Sequence, residues 1–272
     1  MSLFLQGGRV STGALLVLLL GLLPSGASAD VSVAIVPPYV EKVVRSGSQV
    51  SDTLSYTNQG SDPVIVQVDF SDFGVNESGE VTEQPPGSHS SSLIRHLRIS
   101  PMKIRVVPDQ QVFFRYSVET PEVFDQLRSM IFLSSYPETD PGANQVQIVA
   151  RLGVPLYVEN TKAAPAQLEI ESVEWDRPEK SPDQLRVRLL VSNHGQRNIR
   201  PGGFVHVETA DGKFNTTFDF NQGREPVLPG QRRRWEQFFG PVPEGKLEVK
   251  LRLATSARTS YEAESFVAAV TP

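Results

Sequence analysis

The sequence predicts an all-β protein, with two immunoglobulin-like β-sandwich domains after a cleaved signal peptide. Three observations predict this fold class: apolar and polar residues alternate in short runs, turn-forming residues separate the runs, and helical periodicity is almost absent. A chain of 272 residues is long enough to give two domains a core each.

The predicted strands are clearest where side chains alternate with a period of two. These runs place apolar residues on one face and polar residues on the other, at 64–68, 185–189, 204–207 and 247–253. An antiparallel sheet that is packed on one side requires this pattern. Clusters of turn residues separate the runs, at 58–63, 140–142, 210–212 and 228–230. This spacing favours sandwiches over alternating strands and helices. A short helix is predicted at 121–128, with Thr120 as its cap.

The first 29 residues have the order of a secretory signal. Arg9 precedes an apolar run at 14–23, a Pro-Ser-Gly break follows, and Ala27-Ser28-Ala29 provides the small residues that signal peptidase accepts. The alternative is an N-terminal membrane anchor, although the apolar run is short for a span. We expect cleavage before Asp30 and no further membrane span in the mature chain.

A break in the strand pattern at 159–165 predicts the domain boundary. The expected organisation is a signal peptide at 1–29, an N-terminal domain at 30–160 and a C-terminal domain at 165–272, both of ordinary domain size. The segment 74–92 is rich in Ser, Gly, Glu and Pro, and it predicts a long exposed loop in the first domain.

The composition limits which cellular locations and which classes of partner fit this chain. The chain has 26 basic and 31 acidic residues, a formal net charge of −5, and no basic footprint for nucleic acid. An exported protein without cysteine is typical of bacteria rather than of disulfide-stabilised secreted eukaryotic domains. These features favour a bacterial protein of the periplasm or the cell surface.

The chain lacks the sequence patterns of an enzyme, a metal site or a cofactor site. None of the four histidines has metal-ligand spacing to another ligand, and no nucleophile elbow, phosphate loop or dinucleotide fingerprint occurs. The triplet Asp72-Phe73-Gly74 stands without the other kinase motifs and is interpreted as a strand exit. Arginines 232–234 follow a Pro-Gly turn and are expected on an exposed, edge-protecting face.

Four stretches in residues 31–158 resemble the N-terminal domain of PapD-like periplasmic pilus chaperones. They occur in the family's order and spacing, as YVEKVVRSG at 39–47 and TLSYTNQG at 53–60, ISPMKIRVVPDQ at 99–110 with Phe114-Arg115, and SMIFL at 129–133 with VQIVARLGVPLY at 146–157. The C-terminal half resembles the family less, and no functional residue is carried over to it.

The resemblance implies an ATP-independent chaperone that lends a β-strand to pilus or fimbrial subunits, or to spore-coat-type subunits, with an outer-membrane usher as a further candidate partner. The candidate donor strand presents Val146, Ile148, Ala150 and Leu152 on one face. The other interpretation of this face is that it packs in the domain's own core.

The family also grips the terminal carboxylate of its subunit with two basic residues. By position in the motifs, the first falls on Lys42 and the second falls on Pro155, which cannot replace a cation. Arg151 and Lys162 are the basic residues that could compensate. The alternative function is a structural or adhesive envelope protein built from the same sandwiches, which the acidic charge and Pro155 favour.

Overall fold

The computed structural model describes residues 32–138, 149–165, 167–222, 225–255 and 268–270. Within these ranges the chain forms strands almost throughout, and its one helix is a 3₁₀ turn at Ile94–His96. The all-β prediction is therefore confirmed. The predicted signal peptide lies outside the described residues, and the predicted domain bounds stay a prediction.

Ten strands form two sheets from the N-terminal part of the chain. Their bounds are β1 Val33–Val36, β2 Val40–Val44, β3 Gln49–Asn58, β4 Val64–Val75, β5 Val81–Gln84, β6 Leu97–Ser100, β7 Lys103–Val106, β8 Gln111–Glu119, β9 Gln126–Pro137 and β10 Ala150–Asn160. Sheet I has the order β1-β3-β8-β6, and sheet II has the order β2-β10-β9-β4-β5, with β7 paired to β4. We call the pair of sheets the N-terminal sandwich.

The inner faces of these sheets share one apolar core. Leu54 and Phe114 contribute from sheet I, and Val66, Ile131 and Leu156 contribute from sheet II, all fully buried. The burial alternates along the strands as the period-two pattern predicts, because successive side chains of a strand point to opposite faces. Burial of large apolar side chains on both faces of this gap is the main stabilising contribution to the sandwich.

Seven further strands form a second pair of sheets, which we call the C-terminal sandwich. Their bounds are β11 Leu168–Asp176, β12 Leu185–Asn193, β13 Pro201–Thr209, β14 Asn215–Phe220, β15 Arg232–Phe239, β16 Leu247–Thr255 and β17 Ala268–Val270. Sheet III has the order β11-β12-β15, and sheet IV has the order β14-β13-β16-β17. They enclose a separate core that includes Leu189, Val205, Trp235 and Leu251.

The helix predicted at 121–128 is wrong, because its segment is an irregular loop that leads into β9. The hydroxyl of Thr120, the expected cap, instead donates to the carbonyl oxygens of Arg45 and Ser48 at 3.1 and 3.0 Å. The Gly47 amide also donates to the Pro121 carbonyl at 3.2 Å. These tertiary hydrogen bonds replace the local ones that a helix would form.

The long loop predicted at 74–92 is also partly wrong. Strand β4 continues to Val75, and β5 returns beside it, so that residues 72–75 pair with 81–84 in a hairpin. The turn is held by Asn76, whose backbone carbonyl accepts from the Gly79 amide at 2.9 Å. Asp72 and Phe73 therefore belong to a paired strand rather than to a strand exit.

Both sandwiches use the same corner, in which a strand ends at a buried asparagine. The Asn58 side-chain amide donates to the carbonyls of Asp62 and Val106 at 2.8 and 3.2 Å, and its oxygen accepts from Gly60 at 3.0 Å. Asn193 repeats this arrangement with Arg197, Val227 and Gly195. Each asparagine satisfies backbone groups that water cannot reach at the corner.

Replacing Asn58 by alanine should lower the free energy of unfolding by about 2–4 kcal/mol, since it leaves buried backbone groups without partners. Chemical denaturation of the purified chain measures this change. Ser61→Ala in the same turn is the control, because the Ser61 hydroxyl hydrogen-bonds only to exposed Asp62. Equal stability of the Asn58 variant and the wild type would contradict the role given to this side chain.

Candidate functional site

Strand β10 has an open edge over its first half. Its residues 150–159 pair with β9, but β2 covers its other side only from Leu156 to Asn160. Among the described residues, therefore, 150–155 have a neighbouring strand on one side only. Unpaired backbone groups along such an edge can accept another strand.

The candidate donor residues lie on the same face of β10 as the residues that pack in the core. Val154, Leu156 and Val158 are buried in the N-terminal core, while Leu152, two positions earlier, is 40% exposed. Leu152 pairs with Leu133 of β9, which is buried. The side chains on this face of β10 are therefore exposed near the start of the strand and buried farther along it. Ala150 precedes it on this face and is half-buried.

Of the four predicted donor residues, the structure thus places Ala150 and Leu152 on the open edge. Val146 and Ile148 lie outside the described residues. The two interpretations of the face therefore apply to different parts of β10: its positions from Val154 onward pack in the chain's own core, and its earlier positions do not.

The opposite face of the edge is occupied by an ion pair. Arg151 donates two hydrogen bonds to Glu83 of β5, at 2.7 and 2.8 Å, and its guanidinium carbon lies 3.4 Å from the centre of the Phe132 ring. These hydrogen bonds lower the pKa of Glu83 below its usual range. Arg151 is consequently held across the sheet, whereas Lys162, the other candidate for a second cation, is exposed beyond the end of β10.

Lys42 lies on the core side of β2. It stands beside Val158 in the parallel register, and its ammonium group donates to Asp52 of β3 at 2.5 Å. This ion pair joins sheets II and I. Asp52 belongs to residues 49–54 of β3, which have β8 as their only described neighbour because β1 pairs with residues 55–58. A charged pair that points inward at a strand edge discourages uncontrolled pairing there.

The Lys42–Asp52 ion pair lies near a buried tyrosine, Tyr116. The Lys42 hydrogen bond is the main cause of a lowered pKa at Asp52, and the Thr53 amide adds to it. Tyr116 is the neighbour of Asp52 across β3 and β8, and burial raises the pKa of its phenol. Its hydroxyl is buried without a hydrogen-bond partner among the described residues.

Pro155 lies in a different place from Lys42. It lines a cleft of about 230 Å³ between the two sandwiches, together with Pro38, Tyr39 and Tyr157, and Lys42 is absent from the lining. Because β2 begins at Val40, this cleft marks the point where the open edge of β10 ends. The structure does not bring Lys42 and Pro155 together.

The C-terminal sandwich provides the cations of this cleft, Arg200 and Arg233. Arg200 bonds to Glu41 at 2.7 Å, and its guanidinium carbon lies 4.4 Å from the centre of the Tyr39 ring. Arg233 bonds to Glu225 at 2.5 Å, and its buried Nε and Nη1 atoms have no hydrogen-bond partner within the part of the chain that the structure describes. Sequence reasoning assigned no function to either arginine.

The expectation that arginines 232–234 are exposed is wrong for Arg233, whose side chain is only 7% exposed. Arg232 and Arg234 are exposed, but both form ion pairs with Glu77 in the turn of the N-terminal hairpin. The alternation of β15 contains the signal for this difference, because Arg233 shares a face with buried Trp235.

Glycine 79 makes room for the Arg233 guanidinium. A Cβ atom at this position would lie 1.6 Å from Nη1 of Arg233, and the backbone φ of +91° is itself unfavourable for other residues. Near this contact, Leu228 of the C-terminal sandwich packs with Phe73, Met130 and Tyr157 of the N-terminal one. Apolar and charged contacts therefore join the sandwiches around the cleft.

The described residues contain neither grouped metal ligands nor a long apolar helix. Across the described ranges, no three His, Cys, Asp or Glu side chains are grouped closely enough to hold a metal ion. No helix among the same residues has the length and hydropathy to cross a membrane.

No family model matches this chain, and no curated protein matches its sequence. The solved structures that match include the class 5 fimbriae chaperone CfaA, at 10% identity and a TM-score of 0.42, with 89% of this chain and 100% of that chain covered. The E. coli chaperone DraB matches at 18% identity and a TM-score of 0.41, with 89% and 97% covered.

A third match is the structure of the Salmonella enterica SafA pilin in complex with the SafB chaperone. It has 18% identity and a TM-score of 0.42, with 90% of this chain and 99% of that chain covered. Fimbrial chaperones are thus among the solved structures that this chain is similar to.

The ion pair at Lys42 predicts a pH effect. Asp52 should titrate below the ordinary aspartate pKa of about 3.9, and Lys42→Met should raise its pKa toward that value. Because the folded-state pKa is the lower one, the stabilisation is present at neutral pH and is lost as the pH falls from about 4 through the folded-state pKa.

Titration of the Asp52 carboxyl carbon by NMR measures this shift in wild type and variant. Asp211 of the C-terminal sandwich is the internal reference, because the hydrogen bonds from Thr209 and Lys213 that lower its pKa do not involve Lys42. An Asp52 pKa that is unaffected by Lys42→Met would show that the pair does not form in solution.

Proposed function

We propose that this chain is a periplasmic chaperone that binds pilus or fimbrial subunits by lending the open edge of β10 to their incomplete sandwiches, without ATP. The observation that carries this function is the edge at residues 150–155, which pairs with β9 alone among the described residues. A strand added there extends sheet II by backbone hydrogen bonds, which give affinity without requiring a particular client sequence.

The side chains of this edge provide the apolar contribution. Leu152 is exposed on a strand whose later residues are buried, so a client groove that covers it would remove apolar surface from water. The alternation of the sequence predicts that Val146 and Ile148, which lie outside the described residues, belong to the same row. Together the four positions give a period-two row that can fill a groove in a subunit that lacks a strand.

The position of β2 limits where a client strand can lie. From Leu156 onward β2 occupies the edge, so an added strand has to end near Pro155 and Tyr39, which line the inter-sandwich cleft. The end of a client chain would therefore face a small cleft with two arginines in its lining. Arg233 suits a terminal carboxylate because two of its buried nitrogen atoms, Nε and Nη1, have no acceptor among the described residues.

Lys42 remains the anchor that the family resemblance implies. Its side chain lies on the other face of β2, in an ion pair with Asp52. A client carboxylate would have to displace Asp52 in order to bind it. Arg233 and Lys42 are thus two alternative anchors for the same client group.

One observation favours the alternative function, a structural or adhesive envelope protein. Both arginines in the lining of the cleft already form ion pairs, Arg200 with Glu41 and Arg233 with Glu225, so their charges are balanced without a client. Such a cleft could simply fix the two sandwiches in position. Co-expression with exported pilus or fimbrial subunits distinguishes the two functions.

In that experiment a chaperone forms soluble one-to-one complexes with the subunits and protects them from proteolysis. Leu152→Asp should reduce complex formation at least about 10-fold, because it places a charge in the client's apolar groove. Ile148→Asp should have the same effect. Val149→Asp is the matched control, since Val149 is also about 40% exposed but lies outside the donor row.

Thermal unfolding of each variant accompanies the capture assay. If Leu152→Asp unfolds the isolated chain, the donor face is part of the core and the proposal fails. If the chain assembles into or onto the fibre instead of releasing subunits, it is an adhesive or structural protein.

The anchor is tested with synthetic peptides of a subunit's C-terminal strand, one with a free carboxylate and one with an amide. Wild type should prefer the carboxylate by about 10-fold or more, since charge-assisted hydrogen bonds to a buried guanidinium are strong. Arg233→Met should abolish this preference if Arg233 is the anchor, and Lys42→Met should abolish it if Lys42 is. An equal preference in all three proteins would rule out both anchors.

A further inference from the structure

A second and larger cleft lies between the sandwiches, at the serine-rich loop. Its volume is about 560 Å³, and its walls are the loop at 87–92, the start of β9 and two residues of the C-terminal sandwich, Gln196 and Pro229. The loop is fixed to β9, because the Arg128 amide donates to the Ser91 carbonyl at 2.8 Å and the Leu93 amide donates to the Arg128 carbonyl at 3.2 Å. This cleft is built on paired backbone rather than on a free loop.

Arg128 lines this cleft and is only 8% exposed. Among the described residues, its buried Nε atom has no hydrogen-bond partner, and no ion pair includes its guanidinium. Burial lowers the pKa of Arg128, and electrostatic interactions with Tyr157 and Asp72 raise it in part. A buried cation without a contact partner is costly, and a bound anion would offset that cost.

Asp72 is the buried acid whose charge acts on Arg128, but its oxygens already have partners. They accept from the hydroxyls of Ser92 and Ser129 at 2.8 and 2.9 Å, and from the His89 amide at 3.2 Å. Asp72 therefore holds the loop in place rather than neutralising Arg128 by direct contact.

The remaining lining of the cleft is rich in hydrogen-bond donors. Arg95 and His96 lie on its wall, as do the hydroxyls of Ser88, Ser90 and Ser91, and Asp125 is the acid among the lining residues. The lining thus combines the Arg128 guanidinium with several serine residues that can donate hydrogen bonds. This distribution suits a tetrahedral oxyanion, which presents several acceptor oxygens in different directions.

We propose that this cleft is a binding site for a phosphate or sulfate group, with Arg128 at its base and the serine-rich loop as its wall. The site is separate from the open edge of β10 and does not depend on the chaperone function. Its ligand is either the free inorganic ion or an ester group carried by a larger anionic molecule.

The test is a titration of the full mature chain, followed by amide NMR at constant ionic strength, with inorganic phosphate, inorganic sulfate and glycerol phosphate as probes. The expected result is saturable shifts confined to residues 88–96 and 128. Arg128→Met should weaken binding at least about 10-fold, and Arg128→Lys should weaken it less, because lysine keeps the charge but not the fork of donors. Arg115→Met is the control, since Arg115 is exposed on β8, in the other sheet.

Tighter binding of glycerol phosphate than of inorganic phosphate would assign the site to an ester group, and the reverse order would assign it to the free ion. Shifts spread over the surface, binding that survives Arg128→Met, or no saturation by any probe would overturn the proposal. If Arg128→Met fails to fold, Arg95→Met together with Ser91→Ala replaces it, because both residues line the cleft without supporting the core.

Discussion

The position at which the chain passes from sheet I to sheet II, between β1 and β2, decides which strand edges of this molecule are open. Strand β1 belongs to sheet I and β2 to sheet II, and Pro37 and Pro38, which lack the amide hydrogen that a ladder requires, separate them. Because β2 joins β10 only at Leu156, the earlier half of β10 is left without a second neighbour. A longer β2 would have closed the edge on which strand addition depends.

Much of the fold could be predicted from alternation, and the failures have local causes. Where one face is apolar and the other polar, as at 64–68 and 247–253, the strands are those predicted. The segment 121–128 has helical spacing, but Thr120 and Pro121 are used in tertiary hydrogen bonds that no local pattern shows. The hairpin at 72–84 was missed because its second strand is short and polar, and pairing rather than burial holds it.

The candidate site was harder to predict than the fold, because it depends on which face of a strand meets the other sandwich. Strand β2 carries apolar residues on both faces, so its alternation could not show that Lys42 points toward the core side and Glu41 toward the cleft. Arg233 was assigned to the surface with its two neighbours, although its alternation with Trp235 already indicated a buried position. Contacts between sandwiches are set by residues far apart in sequence, such as Glu77 and Arg234.

Because Gly79 packs closely against the Arg233 guanidinium, the residue types that are acceptable at these two positions depend on each other. Any side chain at 79 would collide with the arginine, and a smaller residue at 233 would leave a gap under Glu225 and Trp235, which both contact it. Neither position can change alone without disturbing the junction of the sandwiches. We therefore expect that homologous chains with a side chain at the first position will have lost the arginine at the second, and that their two halves will be joined at a different angle.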